Sequence, residues 1–249
     1  MRRVVVLLGV QVHELLAVRE IERAHAAPGA APVQVNLHER LDQLAAHLPD
    51  GAEHVLDPGA RLGNALVAPV VAYVPEGHIE PPTEHMRFAG TISVPEAAFK
   101  SILDAAGRGF KRHGFLNIVL LGDSGNYQTA LKAVADGLNR DWGESPARAH
   151  FVVDYYRATQ TTYVQGLRAK GLTDSQIGTH AGSADTSLLL AVDPSMVRID
   201  QLAVAAREGT ATGTRGDPRA STAAMGQMGV DAVVSQTVTA IRSAVAVPR

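Results

Sequence analysis

Short apolar runs alternate with segments whose apolar residues fall three and four apart, and the alternation repeats along the chain. Val4–Leu8 is an unbroken apolar run rich in valine, which predicts a central strand. His13–Ala27 has helical spacing, Ala30–Pro32 reads as a small-residue hinge, and Val33–Asn36 as another short strand. Ala65–Tyr73 (ALVAPVVAY) is apolar almost throughout, as expected of a strand covered on both faces. Glu76–Pro95 is rich in Gly, Pro and His and reads as a functional loop. Pro95 suits the first turn of a helix, and helical spacing then runs to about His113. Asn117–Leu121 reads as a strand and Gly125–Trp142 as an amphipathic helix. Phe151–Tyr155 reads as a strand and Ala158–Lys170 as a helix. Ser183–Val192 predicts a short apolar helix and Thr222–Val245 a long terminal one.

Strands alternating with helices predict an α/β fold around a mainly parallel sheet. No internal repeat or linker interrupts the pattern, so residues 1–249 are read as one domain. Ligands in such folds sit at the carboxyl ends of strands. The loop Gly122-Asp123-Ser124-Gly125 lies at one of them.

Composition removes several function classes. Of the 249 residues, 46% are hydrophobic, enough for a well-buried core. The formal net charge of −2 gives no basic surplus for nucleic acid. The absence of cysteine excludes disulfides, thiolate metal sites and a cysteine nucleophile, and points to the cytoplasm. The first residues, MRRVVVLLGVQVHELL, imitate a signal peptide, but Gln11, His13 and Glu14 break the apolar run. No run is long enough to span a membrane, so no membrane partner is expected.

The GDSG loop admits more than one chemistry. Ser124 could act as a nucleophile with His180 and Asp185, a triad that spacing permits but does not demand. GDSG also surrounds the reactive serine of trypsin-like proteases, but those are all-β, and here the tetrapeptide joins a strand to a helix. Gly122 and Gly125 can instead form a tight turn that caps the next helix.

Three further stretches bear on the choice: Thr83–Ser93 (TEHMRFAGTIS), Thr179–Pro194 (THAGSADTSLLLAVDP) and Gly213–Gly226 (GTRGDPRASTAAMG). In this order, around a strand–glycine loop–helix, they resemble the creatininase (creatinine amidohydrolase) family. That family shows EHxxFPGTIS, a strand ending in NGHGGN or GDHGGYQ, HAGxxETSxxLxxxP, and GDPxxAT. The resemblance spans roughly residues 60–245. It implies a three-layer α/β/α sandwich, a homo-oligomer, a small-molecule substrate with an amide or cyclic-amide C–N bond, and two divalent metal ions, zinc or manganese. Such ions would activate a water near neutral pH.

On that resemblance His180 corresponds to an active-site histidine, and Glu84 and His85 to a pair near substrate or a neighbouring subunit. Asp185 replaces a family glutamate that is a metal ligand in many members. Ser124 stands at the position of a ligand histidine, with Asp123 beside it as a substitute donor. The family's early GSxEQHGPHLPLxTD motif is missing. Its nearest counterpart, Asp42–Glu53 (DQLAAHLPDGAE), would put Asp42 and Glu53 in ligand positions and Leu44 where a ligand histidine belongs. The same stretch reads equally well as an ordinary amphipathic helix, and both readings stand. Asp185 can also be read as a cap in the first turn of its helix, and Asp217-Pro218 as turn chemistry. Three functions follow in order: a metal-dependent amidohydrolase with an altered site, a non-catalytic binder or assembly partner on the same fold, and a serine hydrolase using Ser124. One tryptophan and five tyrosines give no obvious stacking platform for a substrate.

Overall fold

The computed structural model describes residues 4–9, 62 and 65–247. Its framework is a parallel four-stranded sheet. The strands are β1 (Val4–Gly9), β2 (Ala65–Val67), β3 (Asn117–Gly122) and β4 (Arg148–Phe151), in the order β2-β1-β3-β4. β1 pairs with β2 and β3, and β3 with β4, all parallel. The apolar run Val4–Leu8 is therefore a central strand. The α/β reading with a parallel sheet holds.

The three layers follow from the two-residue period of β3. Ile118 and Leu120 face one side and pack with Phe99, Leu103, Leu131 and Leu138. Those four come from α1 (Glu96–Arg112) and α2 (Gln128–Trp142). Val119 and Leu121 face the other side and meet Val152 and Ile241. Each of these β3 residues is fully buried, contributing at most roughly 1.5–3 kcal/mol of transfer free energy.

Beyond β4 the chain runs through α3 (Asp154–Ala158), a π turn at Thr159–Tyr163, and α4 (Val164–Ala169). Then come α5 (Asp174–Ile177), α6 (Ser183–Val192), α7 (Leu202–Glu208) and α8 (Ala223–Ala246). α8 lies against α6 at Gly226, where any Cβ would collide with the Ser187 carbonyl. The closeness requires glycine. No helix among the described residues is long and apolar enough to cross a membrane.

Two expected strands are corrected. Ala65–Tyr73 was expected to be a strand covered on both faces, but β2 stops at Val67 and Leu66 is 62% exposed. Pro69 cannot donate to a ladder, and regular pairing ends just before it. Phe151–Tyr155 was expected as a strand, but the ladder takes Arg148–Phe151, and Asp154 already opens α3. Asn139 fixes this register by bonding both the N–H and the C=O of Ala149. The elements expected at His13–Ala27 and Val33–Asn36, and the stretch Asp42–Glu53, lie outside the described residues.

Candidate active site

The loop after β2 folds back on itself through its own hydroxyls. The Glu76 N–H donates to Ser93 Oγ at 2.9 Å, and Ser93 Oγ donates to the Gly77 carbonyl at 2.8 Å. The His78 N–H donates to Thr83 Oγ1 at 2.8 Å, and the Thr83 N–H to the His78 carbonyl at 3.1 Å. Thr83 and Ser93, the two ends of TEHMRFAGTIS, thus tie both ends of the segment that carries His85.

That closure buries a carboxylate. Glu76 is only 2% exposed. Its Oε2 lies 2.5 Å from His85 Nδ1 and accepts from Asn126 Nδ2 at 3.5 Å. Its Oε1 is buried with no hydrogen-bond partner among the described residues. Burying a carboxylate oxygen without a donor is costly. On its far side the His85 ring stacks on His180, with centroids 5.1 Å apart and planes 27° from parallel. Asn126 follows β3 closely, so the cluster sits at the carboxyl end of a central strand, where α/β folds place ligands.

Both histidines follow or precede a strained residue. Glu84 has φ +49° and Ala181 φ +50°, left-handed values for residues that carry a Cβ. Each costs about 1–2 kcal/mol. Such strain persists only where the surroundings hold it. Around His180 those surroundings are backbone. The Arg215 N–H donates to the His180 carbonyl and the Thr179 N–H to the Arg215 carbonyl, each at 2.7 Å. A Cβ on Gly216 would meet Gly182 Cα at 2.6 Å and Gly178 Cα at 2.8 Å.

The opening of α2 is a self-contained cap. Ser124 Oγ accepts from the Asn126 N–H at 3.3 Å. The Tyr127 hydroxyl accepts from the Asp123 and Ser124 N–H groups, each at 3.3 Å, and donates to Asp123 Oδ1. Burial, and then the Asp123 charge, push the Tyr127 phenol far above its usual range, so it stays protonated and donates. Gln128 Nε2 closes the loop onto the Gly122 and Ser124 carbonyls at 3.0 and 2.7 Å. No imidazole bonds to Ser124 among the described residues, so the triad with His180 and Asp185 has no geometric support here.

Of the residues singled out in the sequence, His85 and His180 are brought together. Glu84 is exposed, and its carbonyl accepts from Arg87 Nε at 3.1 Å. Asp185 is exposed in the first turn of α6, and its Oδ2 accepts the Ala181 N–H at 2.8 Å. Asp123 is held by Tyr127. Asp42 and Glu53 lie outside the described residues. Asp217 does make the expected turn, its Oδ1 accepting the Arg219 N–H at 3.0 Å. Glu76 opens the Glu76–Pro95 stretch that reads as a functional loop, but no motif marks it as a site residue. Its signal was the spacing of Glu76 and His85 across a segment with Gly77, Pro81 and Pro82, which can turn the chain back.

A model of the family Creatininase, described as creatinine amidohydrolase, matches residues 42–241. The chain belongs to the creatininase family. Among solved structures, one titled "Creatininase Mn" is 18% identical with a TM-score of 0.64, over 98% of this chain and 91% of that one. Another, titled as the crystal structure of creatinine amidohydrolase (creatininase), is 18% identical with a TM-score of 0.65, over 96% and 90%. A third, a mutant creatininase of "Zn-Zn type", is 19% identical with a TM-score of 0.63, again over 96% and 90%. At these identities the likeness speaks for the fold. No curated protein sequence matches the chain.

Of these solved structures, one is named with manganese and another with zinc. The described part of this family member does not by itself make such a centre. No three His, Asp or Glu side chains converge for an ion among the described residues. Asp123 and Asp185 each accept a local hydrogen bond, and the Ser124 hydroxyl is a helix cap.

Proposed function

We propose that this creatininase-family chain is a hydrolase of a small-molecule amide or cyclic-amide C–N bond. The buried Glu76 carboxylate against His85, with His180 stacked behind, is the observation that carries the reading. A carboxylate on Nδ1 fixes the imidazole's orientation and tautomer and supports charge on the ring. A histidine so held can take a proton from water as its oxygen attacks the carbonyl carbon, and return one to the leaving nitrogen. His180, at the family's active-site position, is the second acid–base group. Glu84 and Asp185 then shape the two loops rather than the chemistry. Metal dependence, with manganese or zinc, belongs to the same proposal and needs donors beyond the described ones. Asp42 and Glu53 are the sequence's candidates.

A second reading is a non-catalytic binder on the same fold. It is favoured by one observation: the residue at a family ligand position, Ser124, serves the α2 cap.

The two readings separate in one experiment. The purified protein is incubated with manganese and zinc salts and desalted. Its metal content is measured, and hydrolysis of creatinine and small linear amides is followed in wild type, His85→Ala and His180→Ala. Turnover that falls at least about 100-fold in both variants supports the hydrolase. No turnover of any amide, with or without bound metal, leaves the binder.

A further inference from the structure

The turns that hold His85 and His180 also frame a cavity of about 340 Å³, lined by Arg87, Phe88, Thr210 and Arg215. That volume suits a small molecule. Arg87 lies two residues after His85 in the same short turn, and the Arg215 N–H donates to the His180 carbonyl, so the chain places each arginine close to one of the stacked histidines. Arg87 Nε is fixed on the Glu84 carbonyl at 3.1 Å, which leaves its terminal nitrogens to other acceptors.

Two of the cavity's four lining residues are arginines. Arg108, Arg168, Arg207 and Arg219 are each paired with a carboxylate. Among the described residues, Arg87 and Arg215 form no ion pair with one. Two arginines and a threonine lining one cavity supply a donor set for an oxyanion, which arginine meets in a two-pronged fashion. Phe88 gives the cavity an apolar wall, with Gly213 packed alongside the ring.

We propose that this cavity is a carboxylate subsite, and that it selects small molecules whose carboxylate lies a few bonds from an amide. As an account of substrate choice, this rests on the hydrolase reading. As an account of binding, it stands alone.

The test uses the full chain and two probes differing in one group, N-acetylglycine and N-acetylglycinamide. Binding is measured by calorimetry in low salt for wild type, Arg87→Gln, Arg215→Gln and the two lysine variants, with folding of each checked by circular dichroism. The expected result is at least tenfold tighter binding of N-acetylglycine than of its neutral amide. Each glutamine variant abolishes most of that preference, lysine restores part of it, and added salt weakens it. Equal binding of the two probes, no binding of either, or a preference unchanged in folded glutamine variants overturns the subsite. Inorganic phosphate competing as well as acetate would also overturn the carboxylate assignment. Turnover is followed separately. N-acetylglycine bound selectively but never cleaved keeps the subsite and removes the hydrolase reading. Equal cleavage of both probes by wild type and both glutamine variants removes the subsite and keeps the hydrolase.

Discussion

His85 lies face to face with His180, ring centroids 5.1 Å apart, although 95 positions separate them in the chain. Each arrives on a loop with one left-handed non-glycine residue beside it, Glu84 or Ala181. The stack joins the two motif segments that flank the sheet's carboxyl end. Its outer edge is the buried carboxylate of Glu76.

That carboxylate sets function against stability. Glu76→Gln keeps the shape and an acceptor for His85, but removes a buried charge that has an unpartnered oxygen. The variant is expected to melt no lower than wild type, and to hydrolyse its substrate at least about tenfold more slowly. Thermal unfolding beside a rate assay checks both. A lowered melting temperature would mean that the charge supports the fold.

Tyr127 is the keystone of the α2 cap. Tyr127→Phe deletes the acceptor of two N–H groups and the donor to Asp123. A loss of about 1–3 kcal/mol is expected in urea unfolding. A change below about 0.5 kcal/mol would show that water or another group replaces the hydroxyl.

His150 gives the fold an acid-side dependence. Burial, and then the nearby Arg148 charge, lower its pKa below the ordinary histidine value of about 6.5. Its Nε2 donates to Asn117 Oδ1 at 3.0 Å. Because the native state resists the proton and the unfolded chain accepts it, stability falls as pH drops below about 6.5 and is flat above. Melting temperature against pH for wild type and His150→Gln should converge toward pH 5.5 from a wild-type advantage at pH 8. Parallel curves would exclude His150 as the cause.

The α6–α8 crossing depends on Gly226. Gly226→Ala drives a methyl group into the Ser187 carbonyl and toward Ala191 Cβ, 2.8 Å away. Overpacking of this kind costs roughly 1–3 kcal/mol, despite alanine's better helix propensity. Chemical denaturation of the variant measures the difference, and a stabilised protein would show that the helices can part.

The sheet's centre was legible because β3 is apolar from Ile118 to Leu121 and lies between turn residues. α6 was legible to the residue because Gly182 and Asp193 bound an apolar run. The boundaries that slipped share a cause. At Ala65–Tyr73, hydropathy persists past Pro69, where the donor that a ladder needs is missing. At Phe151–Tyr155, the apolar run Phe151–Val153 carries on past the ladder to Asp154, which opens α3, and Asn139, from a different element, sets the register. The site was half legible. The motifs carried His85 and His180, but the burial of Glu76 depends on a loop closed by Thr83 and Ser93, which no local pattern announces. Asp123 and Asp185 take their ligand reading from their places in the family motifs. Their hydrogen bonds to Tyr127 and Ala181 are visible only in three dimensions.

The glycine contact beneath His180 also bears on how this protein could be altered. With Gly178, Gly182 and Gly216 meeting backbone to backbone, that side of the cleft has no room for added side-chain volume. A library that randomises the three glycines should return mostly unfolded clones. Diversity aimed at Arg87, which is exposed and lines the cavity, can change what the site accepts while the support of His180 stays fixed. Adaptability in this scaffold is therefore one-sided, and a new specificity should arise on the Glu76–Ser93 side first.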